Sequence, residues 1–216
     1  MMNLSLFRVR MFTLSTIGLI AATMTHGLIG FIMPFYLQDI LHISPSFMGF
    51  IFLIPSIFTI TLATVTGHIT DRIGPRTPLI IGSLVLMIAL VIGANLQTTS
   101  HWTFPAVALG ITGIAGAFFN TPIQAAIISS VPKEHRGIAA GIINTVFGLG
   151  HLLGISAGKF LLTLAFQSYS GIPTAAPTPA NPSAFVFSMN VTYFAALTVS
   201  LVALLTSLMT GRVKRV

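Results

Sequence analysis

The sequence predicts an all-α integral membrane protein with six transmembrane helices, and three observations carry that reading. Of the 216 residues, 54% are apolar and only 6% are Asp, Glu, Lys or Arg, a composition that excludes an ordinary soluble domain. The apolar residues fall into six runs, each long enough to cross about 30 Å of hydrocarbon at about 1.5 Å per residue. The basic residues collect at alternate ends of those runs, as they do where a chain crosses a bilayer an even number of times.

The runs cover Phe12 to Tyr36, Phe47 to Thr66, Pro78 to Leu96, Thr103 to Ser129, Ile138 to Phe166 and Phe187 to Met209. They are too long for buried strands, and the Gly and Pro inside them are tolerated in membrane helices, where neighbouring groups re-satisfy the backbone. The first run has no small-residue cleavage site and continues into Pro34, Tyr36 and Gln38, so it is expected to stay as an anchor. Between the fifth and sixth runs, residues 167–184 contain Pro173, Pro177, Pro179 and Pro182 among Thr, Ser and Ala, which predicts an extended outer loop. The whole chain is then one six-helix bundle with no room for a separate soluble domain.

Arg8, Arg10, Arg72, Arg76, Lys133, Arg136, Arg212, Lys214 and Arg215 all fall at one end of such a bundle. The connections at the other end, near Asp39 and His42, over Gln97 to Trp102, and over residues 167–184, contain no Lys or Arg. Both termini are therefore expected to be cytoplasmic, in a multi-pass protein of the cell membrane. Charges spread as topology signals are not a continuous basic patch, so nucleic acid is not an expected partner, whereas anionic lipid is available to them. The absence of Cys removes disulfides and thiolate metal sites.

At the junction of the second and third runs stands Gly67-His68-Ile69-Thr70-Asp71-Arg72-Ile73-Gly74-Pro75-Arg76. This segment resembles the signature loop G-x-x-x-D-R-x-G-R-[RK] of the major facilitator superfamily: Gly67, Asp71, Arg72, Gly74 and Arg76 match, and Pro75 replaces one basic residue. Physically, Gly67 is expected to permit close helix approach and Gly74 a tight turn, while Asp71 can pair with Arg72 or Arg76 or with the positive end of a neighbouring helix. The resemblance implies that these pairs act as a conformational gate. Leu6 to Phe12, Pro34-Phe35-Tyr36-Leu37-Gln38, Ser44-Pro45, Gly49, Pro55, Pro132 and Arg136 to Gly141 are similar to the opening and later helices of the second half of the fourteen-helix drug:proton antiporters. That resemblance implies one six-helix repeat of a carrier built from two, with a binding site between them near the midplane. Met1 and Met2 stand where the second repeat would begin, so a natural half, a gene remnant and a fragment are all open. A lone bundle should not transport; an active form is expected to be a homodimer or a pair with a separate first half.

Polar side chains at membrane depth are costly and are the default functional candidates. His26 and His151 fall near the midplane; Asn120 and Gln124 share one face of the fourth helix, and Asn144 and His151 one face of the fifth. These five are the expected lining of a substrate and proton pathway, with His26 or His151 able to carry the proton. The plain alternative for each is an interhelical hydrogen bond. No Asp or Glu lies deep in a span, so histidine or the second half must carry the proton. If amphipathic drugs are the substrates, Phe31, Phe118, Phe119 and Phe147 are expected to supply apolar wall. Lys159 is expected to extend its ammonium to the interface.

Gly150, Gly154 and Gly158 repeat every four residues in the fifth helix and are expected to bring helices close. Their spacing is also similar to the antiporter motif g-x-x-x-G-P-x-x-G-G, with Ile155 at the Pro position and Lys159 at the last Gly. The sequence holds no catalytic motif and implies no cofactor or metal. Two other readings stay open: a non-transporting subunit or remnant of a transporter, and, more remotely, a haem-binding bundle with His26 and His151 as axial ligands.

Overall fold

The computed structural model describes residues 8–210. Its six long helices are α1 (Arg10–Phe35, continued by a π turn, Tyr36–Ile40), α2 (Pro45–Ile73), α3 (Arg76–Gly93), α4 (Thr103–Ser129), α5 (Arg136–Ser170, entered by a 3-10 turn, Lys133–His135) and α6 (Pro182–Met209). All six are long and apolar enough to cross a membrane, and no strand occurs among the described residues. Arg212, Lys214, Arg215 and the Leu6-Phe7 start of the first motif lie outside the described residues.

The helices overrun the apolar runs where local caps allow it. Ser44 accepts the Phe47 backbone N–H at 3.3 Å in front of Pro45, so α2 starts two residues before its apolar run. Asn181 accepts the Ala184 N–H at 3.2 Å in front of Pro182, and the Pro-rich connection shrinks to residues 171–181. At its far end α2 continues through Ile73, so Gly67, Asp71 and Arg72 are helical and the expected loop reduces to Gly74 and Pro75. Gly74 has φ 86° and ψ 168°, a region essentially closed to residues with a Cβ. Gly74→Ala is therefore expected to cost on the order of 1–3 kcal/mol, read as a lower melting temperature of the detergent-solubilised protein; an unchanged melt would show that the turn relaxes freely.

Packing follows a simple rule. α1 packs along α5 and α6, α4 packs along α2 and α3, α3 meets α6, and α1 crosses α4. Exchanging the first three helices with the last three maps α1/α5 onto α4/α2 and α1/α6 onto α4/α3. Because α1 and α4 run in opposite directions, this is an inverted three-plus-three repeat. The two related helices, α1 and α4, are central: 67% of each apolar window is buried, against 6% for α2.

Two apolar clusters fill the bundle. One, around Phe12, Leu79, Phe119, Ile123, Ile143 and Ala203, lies at the basic end. The other, around Ile32, Tyr36, Leu90, Leu109, Phe166 and Tyr193, lies at the opposite end. In α1 the break between them runs over Thr23 to Gly27, and in α4 it begins at Gly116. The middle of the membrane thus contains a band of small and polar residues.

Across that band, glycine permits backbone contact. A Cβ on Gly154 would collide with the Met24 carbonyl of α1 and one on Gly27 of α1 with the His151 carbonyl of α5; in the symmetry-related pair, a Cβ on Gly113 of α4 would collide with the Pro55 carbonyl of α2. Gly150 and Gly158 extend the α5 row, against Thr23 and, at 3.2 Å, the Leu28 Cγ. Gly67 differs: a Cβ there would come no nearer than 4.0 Å to Thr121. The expected close approach at Gly67 is not made within this bundle, because the α2–α4 contact is closed farther along, at Gly113 and by the Thr66 hydroxyl donating to the Ala117 carbonyl at 3.0 Å.

Candidate transport cleft

In the middle band, α1, α2 and α4 diverge around a cleft of about 310 Å³ lined by His26, Pro55, Ser56, Thr59, Ile60, Thr112, Gly113, Gly116 and Asn120. Thr112, Gly116 and Asn120 recur every four residues and so form one stripe of α4. Gly116 is the point on which the polar groups converge: a Cβ there would stand 3.4 Å from Thr59 Oγ1, 3.5 Å from Asn120 Nδ2 and 3.9 Å from His26 Nε2.

Two of the three are held from behind. His26 Nδ1 lies 2.9 Å from the Ala22 carbonyl, and since a carbonyl only accepts, Nδ1 carries the hydrogen. Nε2 is then the ring nitrogen turned to the cleft, where imidazole can take up or release a proton. Thr59 shares its hydroxyl hydrogen between Pro55 O at 2.8 Å and Gly113 O at 2.9 Å, which leaves its oxygen free to accept. Asn120 brings both a donor and an acceptor. A proton arriving at His26 Nε2 would turn an acceptor into a donor among partners that can answer either state.

Of the five polar residues expected to line a pathway, the structure brings His26 and Asn120 together. His151 is partly buried on α5, its backbone touching Gly27, but it does not line the cleft. Gln124 and Asn144 lie nearer the basic end, exposed on α4 and α5, also outside it. Among the phenylalanines, Phe119 is 2% exposed inside the basic-end cluster, and Phe31 packs against the opposite cluster and edge-on to Phe35; Phe147 is exposed and Phe118 half-buried. None is a wall of the cleft.

Sequence reasoning missed Ser56, Thr59, Thr112 and Gly116. Hydroxyls in membrane helices usually bond back to their own helix, so nothing in their local sequence separates these from the many Ser and Thr that do only that. Of the gate residues, Asp71, Arg72 and Arg76 are exposed at the basic end around the Gly74 turn. Among the described residues no three His, Asp or Glu gather as a metal site. The helix backbones touch at Gly27 and His151, which leaves no space for a macrocycle between His26 and His151.

The profile of the Major Facilitator Superfamily matches residues 15–215. Similar proteins include the riboflavin transporter RibZ of Clostridioides difficile, 25% identical over 94% of this chain and 43% of its own. The multidrug resistance protein Stp of Mycobacterium tuberculosis is 28% identical over 72% and 29%, and the putative multidrug resistance protein MdtD of Yersinia pestis is 24% identical over 86% and 39%. The chain spans less than half the length of these relatives. With six membrane-spanning helices, an inverted repeat and that profile along nearly its whole length, the chain belongs to the Major Facilitator Superfamily of membrane transporters.

Proposed function

We propose that the chain is one six-helix half of a secondary transporter that exports drugs or other small molecules in exchange for protons, and that it corresponds to the second half of a fourteen-helix antiporter. The observation that carries this reading is the cleft itself: a titratable His26, with Asn120 and Thr59 converging on Gly116, at mid-depth on the open flank of the two central helices. Such a group is expensive in hydrocarbon and is useful where a second bundle closes a watery cavity over it. Relatives named for multidrug resistance support drugs as substrates.

The open flank also supports a second half. α2 exposes Phe50, Leu53, Ile57 and Ile60, and on α5 a Cβ at Gly137, Gly141 or Gly148 would meet nothing within 4 Å. A helix from a second bundle could approach α5 there as closely as α1 does on its other side. In this reading the partner is a second copy or a separate first half, the basic end faces the cytoplasm of the cell-membrane protein, and Asp71, Arg72 and Arg76 around Gly67 and Gly74 gate the two conformations.

The test is mass and flux together. The chain in nanodiscs is expected to give the mass of two six-helix bundles, alone or with a co-expressed six-helix partner, and the pair in proteoliposomes is expected to move an amphipathic dye when a pH gradient is imposed. A monomer that binds a complete transporter and changes its flux would instead identify a modulating subunit.

A further inference from the structure

Among the described residues, Lys159 is the one Lys or Arg away from the basic end. Its depth follows from the α1–α5 register. Gly158 packs on Leu28, and Leu28 lies three residues beyond the middle of the 31-residue span Arg10–Ile40. Lys159 Cα is thus roughly 6 Å past the centre of the α1 span, and about 11 Å past the centre of the α5 span Lys133–Ser170, at about 1.5 Å per residue, inside a hydrocarbon half-thickness of about 15 Å. Helical Cα–Cβ bonds tilt toward the N-terminus, which on α5 sets its Cβ back toward the midplane.

Its direction follows from the same helix. Ala157 and Leu161 line a crevice with Ala195, Ala196 and Val199 of α6, and Gly154 and Gly158 face α1. At about 100° per residue, Lys159 lies on the next side round, away from α6. There it shares a face with Gly141 and Gly148, within about 20°, and neither glycine meets any neighbour. His151, whose backbone touches Gly27 beside His26, lies between this face and α1. Lys159 is exposed on the flank that carries the cleft.

The chain has three acidic residues. Asp39 stands in the π turn at the far end of α1, Asp71 in the last turn of α2 and Glu134 in the 3-10 turn before α5. None reaches the middle band. The titratable groups facing this flank are Lys159, His26 and His151, and each is cationic or able to become so.

We infer that Lys159 is an anion-binding residue of the cavity, and that the substrates this half selects are amphipathic organic anions rather than the lipophilic cations common among drugs. The inference rests on the transporter reading and deepens it. An ammonium in a poorly hydrated cavity with no carboxylate of its own bundle in the middle band attracts a carboxylate or sulfonate on the ligand, while the apolar faces of α2 and α5 take the ligand's rings.

Two measurements test it. Because the chain contains no Cys, Lys159→Cys provides a single thiol. It is expected to react in intact proteoliposomes with the anionic sulfonatoethyl methanethiosulfonate, whereas Phe160→Cys, exposed about 100° round the helix on the side toward α6, is not. An unreactive thiol at 159, or equal reaction at both positions, overturns the cavity placement. In nanodiscs with the second half present, fluorescein is expected to bind saturably and in preference to ethidium. Lys159→Met should weaken fluorescein about tenfold or more, the scale of losing one hydrogen bond to a charged group, and Lys159→Arg should retain it. Fluorescein affinity unchanged in Lys159→Met overturns the inference, as does loss of the two-bundle mass in that variant, which would assign Lys159 to a carboxylate of the partner. Ethidium bound in place of fluorescein overturns the charge preference alone; saturable binding of neither dye overturns the transporter reading beneath it.

Discussion

Gly154→Leu is expected to abolish the folded protein. The Cβ alone would collide with the Met24 carbonyl, and backbone cannot step aside as a flexible side chain can. Gly154→Ala should already cost about 1–3 kcal/mol, the usual scale of overpacking, and the three further carbons of leucine would force α1 and α5 apart along the whole Gly150–Gly154–Gly158 row. Size-exclusion profiles of fluorescent fusions would show the wild type as one peak and Gly154→Leu in the void volume. The informative control is Gly141→Leu. It lies on the same helix but meets nothing within 4 Å, so this variant is expected to keep the monodisperse peak and the melting temperature while losing the mass of the paired assembly. Equal damage from both substitutions would mean that helix propensity, not interhelical contact, governs α5.

His26→Gln is the second large effect expected. Glutamine can still hydrogen-bond toward the cleft, but it has no proton to exchange near neutral pH. If His26 Nε2 carries the coupled proton, flux driven by a pH gradient should fall roughly 100-fold, the scale of losing a positioned proton-transfer group, and the remaining flux should no longer depend on pH between about 5 and 8. Dye binding at fixed pH should survive, which separates a proton carrier from a residue that merely shapes the cleft. His151→Gln, outside the cleft, is expected to keep a pH-dependent flux. A wild-type profile in His26→Gln would remove this histidine from coupling and leave the task to the second half.

The composition, the six apolar runs and the alternation of basic residues determined an all-helical, six-span fold, because the bilayer imposes a length and a polarity on every segment and those requirements are written locally. The family resemblance was legible for the same reason: the segment from Gly67 to Arg76 is contiguous, although only its Gly74-Pro75 portion proved to be a turn, since a helix propagates past an apolar run until a residue such as Gly74 stops it. The site was legible only in part. His26 and Asn120 were identified by type and depth, whereas Thr59, Ser56 and Gly116 drew no attention, because a back-bonded hydroxyl and a glycine become a site only when three helices converge. The tertiary structure decided which glycine row packs on α1 and which remains open, that Gln124, Asn144 and His151 stand outside the cleft, and on which side of α5 Lys159 stands. Each depends on the rotation and register of one helix against another. That is fixed by backbone contacts between residues far apart in sequence, such as Gly154 with Met24 and Gly113 with Pro55, which no local pattern records.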